Sequence, residues 1–157
     1  MVTEALEEIH AKGIVHCDLK TDNVVLVTNR KNTVRSVSII DLGLGRHEGG
    51  QHKKKSDRGR NRPWYCDCYY TGEAMTPACD LVGLGVLFED MFKATKSVPL
   101  VLRNMASRMR SSDHAQRPQI SEVKKLLQSF LPKGKAKADK EGEAEREGNS
   151  DQPEVEE

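Results

Sequence analysis

The chain has 157 residues, and its 25 lysine and arginine residues nearly balance 24 aspartate and glutamate residues, leaving a formal net charge of +1. This length allows one domain, and leucine, valine and isoleucine suffice for a modest core although aromatic residues make up only 4%. The apolar run between Asp80 and Glu89 is too short to span a bilayer. No aromatic residues interleave with the basic ones, which argues against nucleic acid as a partner.

Hydrophobic spacing predicts a mostly helical chain with a small sheet. A helix is predicted over 3–12, with Gly13 suited to its C-terminal end, and a short strand follows at 14–15. Two β-branched runs, 24–27 and 34–40, flank a polar turn and are predicted to form a hairpin. Further helices are predicted near 78–93, 98–110 and 118–130.

Two polar motifs lie on either side of the predicted hairpin. Residues 16–23 read His-Cys-Asp-Leu-Lys-Thr-Asp-Asn, and residues 41–43 read Asp-Leu-Gly. Aspartate and glycine are common in ordinary turns, but the two motifs in this order and spacing form a specific signal. They resemble the catalytic loop and the metal-binding turn of the protein kinases, with Cys17 in place of the usual arginine and Leu42 in place of phenylalanine.

This resemblance implies a site for phosphoryl transfer from ATP to a protein. Asp18 would meet the attacking hydroxyl, and Lys20 would direct its ammonium group at the transferred phosphate. Asn23 and Asp41 would hold Mg²⁺, because this ion prefers a few oxygen ligands. Val25 would form the floor under the adenine ring. The lysine at position 20 favours serine or threonine over tyrosine as the acceptor.

Two downstream segments extend the resemblance. Residues 78–91 resemble the long buried helix of the kinase large lobe, in which Asp80 would accept hydrogen bonds from the backbone of the catalytic loop. Arg117 lies in a segment similar to the late D-x-x-x-R-P turn, where the family pairs this arginine with the glutamate of an A-P-E motif. Residues 65–70 lack that motif, so Arg117 is expected either to lack an ionic partner or to borrow Asp67. A buried unpaired charge of this kind costs about 3–5 kcal/mol.

Three further departures concern activity. The threonine of the family's G-T-x-x-Y segment is replaced by Asn61 and Arg62, so its hydrogen bond to the catalytic residues is expected to be lost. Cys17 removes the arginine that usually receives an activation-loop phosphate, so no phosphorylation switch of that kind is expected. Neither a Gly-rich loop nor a V-A-I-K lysine precedes the catalytic loop. The expected fold is therefore α+β and mostly α-helical: a kinase-like large lobe over 1–131 with a small β-hairpin sheet carrying the catalytic loop, and the N-lobe absent.

Two functions are compatible with these features. The first is a Ser/Thr protein kinase fragment, a transferase that would use ATP and Mg²⁺ within a longer parent and be inactive as an isolated chain. The second is a non-catalytic, pseudokinase-like module that binds a protein partner. The second is favoured by the absence of a small lobe, of the A-P-E glutamate and of the threonine. The first is favoured by the retained polar residues Asp18, Lys20, Asn23 and Asp41. Both imply a protein substrate or partner, with no nucleic acid and no membrane.

The remaining segments are charged or contain cysteine. Residues 46–62 form a basic loop that could dock an acidic partner, but a solvated flexible loop is favoured. Residues 132–157 form a charged, acidic tail that is expected to be disordered. The four cysteines, which include a C-x-C pair at 66–68, are not predicted to form a metal site or a disulfide. Without a signal peptide they indicate a reducing intracellular setting.

Overall fold

A computed structural model describes residues 1–55 and 62–131. The predicted tail at 132–157 and the middle of the basic loop lie outside the described residues. In chain order the elements are α1 (Val2–Ala11), β1 (Ile14–Val15), β2 (Val24–Thr28), β3 (Val34–Ile39), β4 (Arg46–His47), α2 (Cys68–Thr71), α3 (Pro77–Lys93), α4 (Leu100–Met109) and α5 (Ile120–Ser129), with 3₁₀ turns at Thr21–Asn23 and His114–Gln116.

The four predicted helices are confirmed as α1, α3, α4 and α5, with bounds that differ by one or two residues. Helix α1 ends before Gly13, whose φ of +68° is a left-handed conformation that glycine adopts without a Cβ penalty. Helix α3 begins with Pro77 in its first turn, where the missing N–H costs nothing. The short α2 was not predicted.

The predicted hairpin is also confirmed. Strands β2 and β3 pair antiparallel, with Val24 opposite Ile39 and Leu26 opposite Val37. In the turn between them, the side chain of Asn29 accepts backbone hydrogen bonds at 2.9 Å from two residues that follow it. This local capping explains why a polar turn closes the hairpin.

A second small sheet joins the start of the catalytic loop to the basic segment. Strand β1 pairs antiparallel with β4, so that Ile14 lies opposite His47 and Val15 opposite Arg46. The backbone then bonds to the loop before α3: Gly49 N–H donates to the Met75 carbonyl at 2.8 Å. Most of the described residues 46–55 are exposed to solvent, as expected, but main-chain hydrogen bonds hold several of them in place.

Helix α3 forms the centre of the core. Leu84 and Phe88 on this helix are fully buried, and the core around them draws on three other helices and the catalytic loop. Its buried members are Leu6, Leu19, Leu81, Leu84, Leu87, Phe88, Met105, Ala106, Met109 and Val123. Leu19 belongs to the catalytic loop, so burial of its side chain, worth about 1.5–3 kcal/mol, also fixes the loop. No helix among the described residues is long and apolar enough to cross a bilayer.

Candidate active site

Asp80 fixes the catalytic loop from below, as predicted. Its Oδ2 accepts the backbone N–H of His16 at 2.7 Å, and its Oδ1 accepts that of Cys17 at 2.8 Å. The His10 ring nitrogen Nε2 lies 2.9 Å from the same carboxylate. Because Asp80 is buried in the first turn of α3, these contacts tie the loop rigidly to the central helix.

Cys17 occupies an uncommon backbone conformation at the turn of this loop. Its φ is +65°, in the left-handed region that non-glycine residues seldom adopt. Burial, together with the charge of Asp80, raises the pKa of its thiol to about 12. The thiol is therefore protonated at neutral pH, and its Sγ lies 3.3 Å from the Val15 carbonyl.

Three side chains hold the carboxylate of Asp18. The indole Nε1 of Trp64 donates to Oδ1 at 2.8 Å, and the Lys20 ammonium lies 3.2 Å from Oδ2. Asn23 donates through Nδ2 to the Asp18 backbone carbonyl at 2.9 Å and lies 3.3 Å from Oδ2. Burial opposes ionisation, but the hydrogen bonds from Trp64 and Lys20 outweigh it and keep the pKa of Asp18 below its ordinary value. The side chain is therefore an oriented carboxylate at neutral pH.

The hairpin brings the second motif to the first. The Ile40 N–H donates to the Asn23 carbonyl at 2.9 Å, so Asp41 follows directly at the same end of the hairpin. The His16 ring joins the two motifs: Nε2 lies 2.9 Å from the Ile40 carbonyl, while Nδ1 accepts the Asp18 N–H at 3.2 Å. These two bonds define a neutral tautomer that donates through Nε2.

The Asp41 side chain bonds to the backbone of Gly43, two residues later. Asp41 has a φ of +64°, which aspartate tolerates better than most residues, and its Oδ1 accepts the Gly43 N–H at 3.1 Å. A Cβ added to Gly43 would lie 3.0 Å from that same oxygen. A larger residue at position 43 would therefore make the Asp41 carboxylate shift by a few tenths of an ångström.

The oxygen atoms of this end of the hairpin fit a magnesium ion. Both side-chain hydrogen bonds of Asn23 use its amide nitrogen, which leaves the amide oxygen as the available ligand atom. Asp41, which follows the same end of the hairpin, is exposed and offers a carboxylate. Mg²⁺ prefers such oxygen donors and keeps several waters. Val25 lies on β2, two residues after Asn23, with 42% of its surface exposed.

Trp64 is the site residue that sequence reasoning missed. The departure at Asn61 and Arg62 led to the expectation that a hydrogen bond to the catalytic residues is lost, yet Trp64 supplies one to Asp18. Its ring also lies 5.7 Å from the Lys20 ammonium, within reach of a cation–π contact. The available signal was that this is the only tryptophan of the chain, placed three residues after the missing threonine.

Arg117 has no A-P-E glutamate to pair with, but hydrogen bonds satisfy its side chain. Its buried guanidinium donates to the Ser111 carbonyl at 2.7 Å, the Ala78 carbonyl at 3.0 Å and Sγ of Cys66 at 3.2 Å. Hydrogen bonds from Cys79 and Arg117 hold the pKa of Cys66 well below its ordinary value. The sulfur of Cys66 therefore faces the guanidinium where the family places a glutamate.

The prediction about the cysteines also needs correction. Although no second C-x-C pair follows in the sequence, the fold brings Cys66, Cys68 and Cys79 together with His114. The four possible ligand atoms all lie within 4.8 Å of one another. Cys17, the fourth cysteine, lies outside this group.

Comparison with known proteins agrees with the geometry of the site. The family model described as the protein kinase domain matches residues 1–139. The chain therefore belongs to the protein kinase family.

Several proteins named as kinases are similar to this chain over part of their length. Serine/threonine-protein kinase RUNKEL of Arabidopsis thaliana is 31% identical over 109 residues, which are 68% of this chain and 8% of that protein. Mitogen-activated protein kinase kinase kinase 20 of the same plant is 35% identical over 95 residues, covering 58% and 26%. Human ribosomal protein S6 kinase alpha-3 is 32% identical over 100 residues, covering 57% and 12%. The chain thus spans about a quarter or less of the length of these relatives.

Proposed function

We propose that this chain carries the phosphoryl-transfer site of a Ser/Thr protein kinase and acts on protein hydroxyl groups when a small lobe completes it. The observation that carries the proposal is the convergence of two separated motifs on one end of the hairpin. Asp18 is an oriented carboxylate in contact with Lys20 and Asn23, and Asp41 follows Ile40, whose N–H donates to the Asn23 carbonyl. The similarity to RUNKEL, which is named as a serine/threonine-protein kinase, supports the choice of acceptor.

Each residue has a role that follows from its contacts. The charged Asp18 accepts a hydrogen bond from the acceptor hydroxyl and orients it for attack. Lys20, fixed against this carboxylate, adds a positive charge on the side where phosphate charge must be neutralised. Asn23 and Asp41 offer the oxygen atoms for Mg²⁺, which supplies positive charge to the phosphates of ATP when bound. Val25 offers an apolar surface to the adenine ring.

A cleft of about 330 Å³ beside the site suits the acceptor peptide. Lys20 and Trp64 line one part of it, and Glu89 and Asp90 on α3 line another. A peptide in this cleft would place its hydroxyl next to the Asp18 carboxylate, because the same Lys20 and Trp64 side chains contact both.

The competing function is a non-catalytic, pseudokinase-like module that binds a protein partner. Two sequence features that favour it, the missing threonine and the missing A-P-E glutamate, are compensated in the structure. Trp64 donates a hydrogen bond to Asp18, and Arg117 donates one to Cys66. One observation still favours it, namely the exposed apolar side chains of the hairpin, such as Leu26 with 55% exposure. A completing small lobe would cover the same surface in the kinase interpretation.

Activity of the completed domain separates the two functions. The chain is joined to a kinase small lobe that supplies a Gly-rich loop and lysine, and transfer from ATP to a Ser/Thr peptide library is measured. Asp18→Asn is expected to lower turnover by about 10²-fold or more. Asp41→Asn should act through weakened metal binding and be partly rescued by excess Mg²⁺.

Glu122→Gln provides the control, because it removes a carboxylate from an exposed ion pair on α5. It should leave turnover unchanged. Equal rates for the parent and Asp18→Asn would overturn the catalytic proposal and leave the binding module.

A further inference from the structure

We propose that Cys66, Cys68, Cys79 and His114 bind one Zn²⁺ ion as a structural site, separate from the phosphoryl-transfer site. These residues come from four places in the chain: the segment before α2, the first residue of α2, the first turn of α3 and the 3₁₀ turn at His114–Gln116. As many as 48 residues separate them in sequence. This inference does not depend on kinase activity.

The geometry is close to that of a tetrahedral site. The His114 Nε2 atom lies 3.1 Å from Sγ of Cys66 and 3.4 Å from Sγ of Cys68, and all four ligand atoms lie within 4.8 Å of one another. Zinc bonds of about 2.3 Å to sulfur and 2.0–2.1 Å to nitrogen place neighbouring ligand atoms about 3.6–3.8 Å apart in a tetrahedron. Side-chain shifts of up to about 1 Å are therefore enough to admit the ion.

The ligand set selects the metal. Three thiols and one imidazole form the Cys₃His combination of closed structural zinc sites. Thiolate and imidazole are soft or borderline ligands that suit zinc, whereas magnesium and calcium prefer oxygen. All three cysteines are buried and His114 is half-buried, so the ion would be shielded from water once bound.

The charge of the site is balanced by Arg117. A Zn²⁺ ion with three thiolates and a neutral imidazole carries one negative charge, which is costly in a buried position unless it is paired. The Arg117 guanidinium donates to Sγ of Cys66 at 3.2 Å and is held in place by two backbone carbonyls. A further N–H, from Thr76, lies 3.4 Å from Sγ of Cys79. Outer hydrogen bonds of this kind orient and stabilise metal ligands.

The position of the site indicates what it does. Cys79 lies next to Asp80, which holds the catalytic loop, while Cys66 and Cys68 follow directly on the segment that carries Trp64. The ion would thus cross-link this segment to the start of α3 and to the His114 turn. The ion would also strengthen the link at Arg117, which the glutamate of the A-P-E motif provides in other members of the family.

Metal analysis of the full chain tests the inference. The 157-residue protein is purified under reducing conditions without chelators, and its zinc content is measured by plasma mass spectrometry, with one zinc per chain expected. The metal-free protein is then titrated with Co²⁺, which should give thiolate charge-transfer bands and the intense visible bands of tetrahedral cobalt. Adding Zn²⁺ should abolish both.

Variants locate the ion. Cys68→Ser and His114→Ala should each lower the zinc content at least tenfold, and His114→Ala, at the half-buried edge, is the variant best able to remain folded. Cys17→Ser is the matched control, since it removes a buried cysteine outside the cluster and should keep one zinc. Reduced wild-type protein that takes up neither metal overturns the proposal. So does a bound zinc that survives both Cys68→Ser and His114→Ala in full.

Discussion

The indole Nε1 of Trp64 donates a 2.8 Å hydrogen bond to Oδ1 of Asp18, 46 residues earlier in the chain. This bond and the Lys20 ammonium keep the carboxylate charged although the side chain is buried. The same bond fixes which way the carboxylate faces. Trp64 therefore acts on the site through Asp18, as a positioning residue.

Trp64→Phe removes the donor and keeps an aromatic ring. We expect the pKa of Asp18 to rise, because the lost bond favoured the charged form, and the rise should be visible in a carboxyl carbon NMR titration. The loss in stability at neutral pH should be about 1.5 kcal/mol, the lower end for bonds to charged groups, since Trp64 is partly exposed.

The lowered pKa of Asp18 also determines how the stability difference between wild type and Trp64→Phe changes with pH. The folded pKa of Asp18 is lowered, so its stabilising contribution is present above the ordinary value of about 3.9 and is lost as the pH falls through the lowered pKa. Wild type and Trp64→Phe should thus differ at pH 7 and converge in acid. Asp18→Ala, which removes both acceptor oxygens, should make the chain insensitive to Trp64→Phe. A difference that persists in that background would assign Trp64 a packing role only.

Local signals in the sequence were sufficient for the helices, the hairpin and the two kinase-like motifs. Periodicity and turn chemistry act over a few residues, so α3 and the β2–β3 pair could be predicted. The contacts of Trp64 and Arg117, and the cluster around His114, could not. Each includes a contact between residues that are 39 or more positions apart, and no spacing rule links an aromatic or a lone histidine to a partner at that distance.

A substituted residue in one motif also misled the sequence interpretation of the site. The loss of the A-P-E glutamate predicts an unpaired Arg117 if only carboxylates are considered as partners. The Cys66 sulfur and two carbonyls satisfy the guanidinium instead. Which atoms meet a buried charge is decided by packing, which motifs do not record.

Asp80→Asn tests how the catalytic loop is held. Both carboxylate oxygens accept backbone N–H groups, from His16 and Cys17, and an asparagine can offer only one oxygen. A buried N–H then faces the amide NH₂, which should cost about 1–3 kcal/mol, with a further loss from the missing charge. We expect urea unfolding at pH 7 to show a destabilisation of about 3 kcal/mol.

Asp90→Asn is the matched control on the same helix. Its carboxylate forms an exposed pair with Lys93, and such pairs contribute at most about 1 kcal/mol. If the two variants are equally stable, Asp80 does not hold the loop.

Gly83→Ala tests the close approach of the loop to α3. A Cβ at this position would lie 2.3 Å from the Leu19 carbonyl oxygen, so the loop must move. Alanine normally stabilises a helix relative to glycine by about 1 kcal/mol, yet here overpacking should destabilise by about 1–3 kcal/mol. Amide chemical shifts of Leu19 and Asp18 should change with it.

Ser107→Ala on the exposed face of α4 serves as the comparison for Gly83→Ala. It places the same side chain in a helix without a clash and should be neutral or slightly stabilising. A stabilised Gly83→Ala protein with unchanged loop shifts would contradict the close packing.

ATP binding by this chain is expected to be weak. Val25 offers an apolar surface on one side of the adenine, and 42% of its own surface is exposed. Small-molecule sites generally bury most of the ligand, so a single floor is insufficient. Mg-ATP should raise the melting temperature only slightly, and a micromolar dissociation constant by calorimetry would contradict this expectation.

The hairpin should make the chain self-associate. Among the described residues β2 and β3 pair only with each other, which leaves backbone groups on both edges available to another strand. Apolar side chains are exposed on the same hairpin and beyond it, including Leu26 at 55% and Leu42 at 47%. Exposed apolar surface favours association when it is extensive. Sedimentation velocity should therefore show species larger than a monomer that increase with concentration.

Leu26→Lys should shift the distribution towards monomer, because it places a charge on the strand pair. Val101→Lys, at a similarly exposed site on α4, should leave it unchanged. A chain that stays monomeric at all concentrations, with a sharp unfolding transition, would show that the hairpin surface needs no cover.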